Sequence, residues 1–395
     1  MDLYYATNDE FKSMEKDFMI KVMPVVGVRP QIIKASPIIS LLGRDPEIEM
    51  QLVHSGQHYD FDMSKTFFNE LDLPDPAFNL DVGSGSHANQ TAKTMTRLEK
   101  VLYKLKPDIV MVFGDTNTTL GATLAAVKSR IPVCHVESGA RTFDVSEPEE
   151  VNRVLVDHAS QLLCAPTKVC HENLRHEGLG EVAFLSGDTM LDAFLSHSQD
   201  IEESAVAKNL HLNGEVYAVL TLHRAENVDS DRLEKIISAI IDLPVRVVFP
   251  VHPRTLTRLR RAGLWRVLLK APNMLLAKPV GYFDMLNLMK HSHAILTDSG
   301  GVQKEAFFLQ VPCVTLLYHT GSPETVELGA NRLVGAEPDL IAKAVEEANV
   351  DRLRKKLWVL SNPFGDGKAS FRIVMELKER FQSGKLEIKP KTTFT

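Results

Sequence analysis

Short apolar, β-branched runs alternate with longer amphipathic stretches along nearly the whole chain. Strand-length runs fall at 21–28 (KVMPVVGV), 49–55, 108–114 (DIVMVFG), 131–137, 161–166 and 182–186. Helical periodicity fills the gaps, as at 31–43, 88–105 and 117–129. Runs that are apolar on both faces and separated by helices predict a parallel sheet with helical crossovers, because a half-solvated meander would alternate. The rhythm repeats at 216–222 (VYAVLTL), 245–251 (VRVVFPV), 273–277, 293–298 (HAILTD) and 312–317. Between the two series, 197–214 is polar and has no strand run, which marks a domain boundary. The pattern predicts an α/β protein of two doubly wound, Rossmann-like domains, 19–195 and 196–368, facing each other across a cleft. A last helix, 369–384, follows a Pro/Gly-rich turn (NPFGDG) and is expected to cross back onto the first domain. Residues 1–18 carry no signal-peptide pattern and read as a disordered extension or a misassigned start.

Composition narrows the function classes. A chain of 395 residues is too long for one core, in keeping with two domains. Its net charge is −6 and no basic stripe carries interleaved aromatics, which argues against nucleic-acid binding. No run approaches the roughly 18 apolar residues that a membrane span needs. The four cysteines, Cys134, Cys164, Cys170 and Cys313, lack metal-ligand spacing, and three lie in strand-like runs where Cys acts as a small hydrophobe. A reduced, cytoplasmic setting follows as the expectation. No histidine set has metal spacing either, so neither a metal nor a cofactor is expected.

The candidate chemistry gathers just past the predicted strand ends, where sheets of this kind bind ligands. Glu137 (in HVESGART) ends one strand run and Glu149 (in PEEVNR) opens a helix. Charge there is costly unless paired or employed. One reading is proton transfer; the other is an ion-pair network with Arg141 and Arg153. Asp115 (in FGDTNTT) is either a third carboxylate of the cleft or the N-cap of the next helix. His223 (in TLHRAEN) is placed for proton transfer at the first strand end of the second domain, and His252, His54 and His58 sit at equivalent ends. In GVRPQIIK, Arg29 and Lys34 flank a glycine turn into a helix, a phosphate-friendly arrangement. In DSGGVQKE, Ser299, Gly300 and Gly301 open a helix whose amino end suits a diphosphate, and Glu305 lies one turn on, in reach of ribose hydroxyls. The plainer reading of that segment is a tight turn with Ser299 as cap.

Taken in order, GVRPQIIK, HSGQHYDFDM, VFGDTNTT, HVESGART, PEEVNR, GDTMLDA, TLHRAEN, FPVHPRT, DSGGVQKEA, SPETVELG and NPFGDGKAS span the chain from about Lys21 to the last helix. This series resembles the non-hydrolysing UDP-N-acetylglucosamine 2-epimerase family. The resemblance implies a GT-B-type fold and the interconversion of UDP-N-acetylglucosamine and UDP-N-acetylmannosamine, feeding surface-polysaccharide synthesis. It implies catalytic roles for Asp115, Glu137, Glu149 and His223. Arg29 and Lys34 would face the diphosphate and sugar, Ser299, Gly300 and Gly301 the diphosphate, Glu305 the ribose, and Val280 and Met285 the uracil. Gln57, His58, Arg224 and His252 match positions of a second, activating substrate site in bacterial members. A homodimer is also implied.

The departures are specific. Where the family reads T-L-R-D-x-T-E-R-P-E, this chain has TLLYHTGSPE, with Leu317 and Ser322 at the arginine positions. Losing bidentate phosphate ligands is expected to weaken diphosphate holding by roughly 1–3 kcal/mol, with His319 or Arg332 as partial substitutes. Gln31, Lys304 and Ala225 also replace family residues, Lys304 adding charge near the diphosphate and Ala225 speaking against activation. The alternatives to the epimerase are an enzyme of the same fold acting on another UDP-amino sugar or hydrolysing it, and a catalytically reduced UDP-sugar binding protein.

Overall fold

Fourteen strands form two wholly parallel sheets among the described residues, which in this computed structural model are 19–57, 67–229 and 231–388. The expectations for residues 1–18 and for His58 lie outside them. One sheet belongs to a unit made of Met1–Ala193 and Phe364–Thr395, the other to a unit spanning Phe194–Pro363.

In the first unit the strands are β1 (Ile20–Val26), β2 (Ile48–Met50), β3 (Val53–His54), β4 (Phe78–Asn79), β5 (Ile109–Phe113), β6 (Val133–Val136), β7 (Leu162–Ala165) and β8 (Ala183–Leu185). Their spatial order is β4-β3-β1-β5-β6-β7-β8, with β2 also pairing β1. The chain thus leaves β1 in one direction along the sheet and returns to its other side at β5. That reversal opens a crevice at the carboxyl ends of β1 and β5. Met23, Val25, Val110, Val112 and Val133 pack on Leu98, Leu102, Ala122 and Ala126 of the covering helices 87–105 and 117–128. The predicted strand 49–55 is two short strands, because the chain between Met50 and Val53 leaves the ladder.

Helix 369–382 belongs to this unit. Its first amides donate to buried Asp192, Ala369 N to Oδ1 at 3.2 Å and Ser370 N to Oδ2 at 2.7 Å. A carboxylate there satisfies orphan N–H groups and faces the positive end of the helix.

The second unit holds β9 (Tyr217–Thr221), β10 (Arg246–Pro250), β11 (Met274–Ala277), β12 (Ala294–Thr297), β13 (Cys313–Thr315) and β14 (Asn331–Leu333) in the order β11-β10-β9-β12-β13-β14. Its reversal lies between β9 and β12. Ala218, Leu220, Val247, Phe249 and Leu296 pack against Ile236, Ile237 and Ile240 of helix 232–241. No helix among the described residues is long and apolar enough to cross a membrane.

Candidate functional site

The first unit places Arg29, Lys34, Asp115 and Glu137 around its sheet reversal. Helix 29–42 starts straight off β1 with Pro30 in its first turn. Valine at position 28 cannot cap it, so buried Gln31 does the work. Its Oε1 accepts from Gly27 N (2.9 Å) and Val28 N (3.3 Å), while Nε2 donates to Phe113 O (2.8 Å) and Thr119 Oγ1 (2.9 Å). A carboxylate could make the first two bonds and could accept from the Thr119 hydroxyl, but it could not donate to Phe113 O, which favours glutamine here. One turn on, Lys34 forms an ion pair with Glu137 Oε2. Arg29 lies over the Phe67 ring, 4.7 Å from its centroid.

Glu137 has φ +69°, the left-handed region that non-glycine residues rarely occupy. Such strain persists only where the surroundings impose it, and it concentrates at functional sites. Gly114, at the end of β5 with φ +60°, lies directly under the pair: a Cβ there would sit 3.1 Å from Glu137 Oε2 and 3.4 Å from Lys34 Nζ.

Asp115 is not the cap of helix 117–128. Thr116 occupies that position and accepts from Thr119 N at 3.3 Å, because the extended residue just before the helix must supply the oxygen. The Asp115 carboxylate instead meets Arg153 Nη2 at 2.6 Å. Arg153 also donates to Glu150 at 2.9 Å and lies 3.9 Å from Glu147. Burial opposes its charge, yet Asp115 and Glu150 outweigh that and raise its pKa. Glu150 accepts from Thr142 N and Phe143 N, both at 3.0 Å. Burial alone would raise this carboxyl, but those amides and Arg153 bring it below the ordinary range.

The ion-pair network foreseen around Glu137 and Glu149 therefore exists with other acids. Arg153 serves Asp115, Glu150 and Glu147; Arg141 serves Asp157 and Glu177, both at 2.8 Å. Glu149, in the first turn of helix 148–159, has no hydrogen-bond or ion-pair partner among the described residues and is half-buried. Gln57 is fastened nearby, its Oε1 accepting from Thr118 Oγ1 (2.6 Å) and Thr118 N (3.2 Å).

The second unit gathers His223, Arg224, His252, Ser299, Gly300 and Gly301 at the ends of β9, β10 and β12. Asp298, fully buried at the end of β12, organises them. It accepts from His223 N (3.1 Å), Arg224 N (2.9 Å) and Asn227 Nδ2 (3.3 Å), and lies 3.5 Å from His223 Nδ1. The exposed His223 ring stands 6.1 Å from that of His252, which caps helix 253–261 by accepting from Arg254 N. Ser299 does not cap helix 300–309 through its side chain. The first amides of that helix are thereby left for another acceptor, and a Cβ added at Gly300 would meet nothing within 4 Å. Glu305 and Lys304 are buried one turn along. Met285 lies in helix 282–290, with Val280 just before its start.

Arg332 does not replace the missing arginines. It sits inside β14, paired with Val314, and binds Glu347 at 2.6 Å. Asp298 and Arg153 were visible in the motifs, but His223 and Arg224 lie 75 and 74 residues from Asp298, and Asp115 lies 38 from Arg153, too far along the chain for spacing to reveal. His135, fully buried in β6, gave no signal beyond its place in HVESGART.

Residues 41–378 match the family described as UDP-N-acetylglucosamine 2-epimerase. A UDP-N-acetylglucosamine 2-epimerase of Methanocaldococcus jannaschii is 45% identical over 90% of this chain and 98% of its own. The crystal structure of the enzyme of that organism in complex with UDP-GlcNAc and UDP superposes with a TM-score of 0.85 at 45% identity, covering 91% of this chain and all of the other. A UDP-2,3-diacetamido-2,3-dideoxy-D-glucuronate 2-epimerase of Pseudomonas aeruginosa is 40% identical over 90% of this chain and 98% of its own. With two parallel-sheet units of GT-B type and these relatives, the chain belongs to the non-hydrolysing UDP-N-acetylglucosamine 2-epimerase family of isomerases.

Proposed function

We propose that the protein interconverts UDP-N-acetylglucosamine and UDP-N-acetylmannosamine by eliminating and re-adding UDP. The C2–H bond breaks, its electron pair forms the C1–C2 double bond, and the C1–oxygen bond to UDP breaks. The 2-acetamidoglucal so formed then takes a proton at C2 from the opposite face while UDP re-adds at C1. Each face of C2 therefore needs its own acid–base group. Asp115, Glu137, Glu149 and His223 are the groups proposed to share this work. Glu137 carries the reading furthest: it is an acid held in a strained conformation, against Lys34, at the sheet reversal.

In this proposal the first amides of helix 300–309, from Gly300 and Gly301 beside Ser299, hold the diphosphate. Glu305 binds the ribose and Val280 and Met285 the uracil. Arg29 and Lys34 face the diphosphate and sugar side. Gln57, His58, Arg224 and His252 are the residues proposed for any second nucleotide-sugar site. The protein works as a cytoplasmic homodimer in this reading.

The test is proton NMR in heavy water with UDP-N-acetylglucosamine and pure protein. Epimerisation installs deuterium at C2 of both UDP-sugars. Release of free N-acetylmannosamine with UDP would overturn the non-hydrolysing assignment, and bound UDP-sugar without C2 exchange would overturn the enzymatic one.

A further inference from the structure

Beneath the Glu137 loop lies a set of buried charged groups that the proposed reaction does not use. Asp157, in helix 148–159, is fully buried. Its Oδ1 is 2.6 Å from His135 Nδ1, and its Oδ2 accepts from Gly139 N (3.0 Å) and pairs with Arg141 Nη2 (2.8 Å). His135 is also fully buried, and its Nε2 lies 2.8 Å from Gly114 O. Burial alone would raise the Asp157 carboxyl, but His135 and Arg141 bring it below the ordinary range.

These contacts close on Glu137 from both sides. One carboxylate holds the side chain two residues before it and the amide two residues after it. The far ring nitrogen of His135 holds Gly114, whose own N–H returns to Val136 O at 3.0 Å. Ser138 N donates to Cys164 O at 3.1 Å, so the next peptide is tied as well. Gly139 has φ +80°, and a Cβ there would come within 2.2 Å of Cys170 O. The loop is thus pressed onto helix 168–176, whose Asn173 donates to Gly139 O. Burying several charges is expensive, and an apolar set of similar volume often packs as stably.

We propose that Asp157 and His135 are positioning residues that clamp the Glu137 loop in its left-handed conformation, so that the carboxylate is aimed before substrate arrives. The proposal rests on the assignment of Glu137 to proton transfer. Neither clamp residue touches the reacting atoms.

The experiment compares wild type with Asp157→Asn, which keeps the shape but presents an NH2 group where an acceptor is needed. Backbone hydrogen exchange at 138–142 is expected to quicken by about tenfold or more, with strand β9 unchanged. In the C2-exchange assay kcat is expected to fall roughly 10- to 100-fold, with KM within about threefold. Unchanged exchange at 138–142, or a loosened loop with wild-type kcat, overturns the clamp. If Asp157→Asn does not fold, Arg141→Lys gives the same reading. It retains a cation but cannot span Asp157 and Glu177, and unaltered exchange at 138–142 in that variant also overturns the clamp. Glu137→Gln separates the two claims: full activity there removes the Glu137 assignment, while loop exchange in Asp157→Asn still decides whether the clamp exists.

Discussion

A single methyl group at Gly114 tests the geometry of the first unit most directly. At φ +60°, alanine costs about 1–2 kcal/mol of backbone strain. In a unit of this size that lowers Tm by roughly 2–8 °C. The new Cβ would also stand 3.1 Å from Glu137 Oε2, inside ordinary contact distance, and 3.4 Å from Lys34 Nζ. The ion pair must give way by a few tenths of an ångström. A misplacement of about 1 Å costs on the order of 100-fold in rate, so Gly114→Ala is expected to lose roughly 3- to 10-fold in kcat. The assay is deuterium incorporation at C2 with melting measured alongside. A variant with the expected fall in Tm and wild-type kcat would refute the idea that the reaction depends on where Glu137 sits.

Three further outcomes follow from the same contacts. Gln31→Glu removes the bond donated to Phe113 O and sets a carboxylate against that carbonyl, so urea denaturation should show a loss of about 1–3 kcal/mol. Arg153→Lys cannot serve Asp115 and Glu150 together; kcat should fall by roughly tenfold or more with UDP affinity kept, and an unchanged kcat would separate Asp115 from the reaction. Because the Glu150 carboxyl lies below its ordinary value, its stabilising contribution is present above the unfolded-state pKa and is lost as pH falls through the folded one. The Tm difference between wild type and Glu150→Gln should therefore stay constant from neutral pH down to about 5 and close below about 4; a gap that closes between pH 7 and 5 would contradict the assignment.

The sheets were legible because their central strands, such as β5, β9 and β12, are buried on both faces and read as unbroken apolar runs. Where a strand lacks that signature the pattern is silent: β14 has buried Asn331 beside exposed Arg332, and β4 is only Phe78–Asn79. Strand ends located Asp115, Glu137 and His223, since a charged residue closing an apolar run is a local signal. Which cation meets which acid is not local. Lys34 and Glu137 are 103 residues apart, and His135 and Asp157 are 22 apart. Arg141 and Arg153 were read as partners of Glu137 and Glu149 because they are close in sequence. Helix 148–159 instead turns Arg153 toward Asp115, and helix 168–176 brings Glu177 to Arg141.

The loop that departs most from its family also has a physical logic. Leu317 is 2% exposed and Ser322 5%, so both former arginine positions hold buried side chains. Tyr318 next to them lies over Gly335, donates to Glu337 Oε1 at 2.8 Å and carries the Arg232 guanidinium 5.1 Å from its ring centroid. Thr320 Oγ1 donates to Gln303 Oε1 at 2.6 Å, and Gln303 accepts from Asn331 Nδ2 at 3.1 Å. Leu317 and Ser322 are thus packed inward, while exposed Tyr318 is held at the surface by Glu337 and Arg232 and Thr320 by Gln303, and under the proposed function diphosphate binding falls to the amides of helix 300–309 with Arg29 and Lys34. Restoring the family residue by Leu317→Arg should not strengthen that binding. It would set a guanidinium in a buried site and remove an apolar side chain, at a cost of at least about 3 kcal/mol. Melting and UDP calorimetry check this together: a fall in Tm without tighter UDP binding is expected. A variant of native stability that binds UDP more tightly would mean that position 317 opens outward and that the arginine was simply lost.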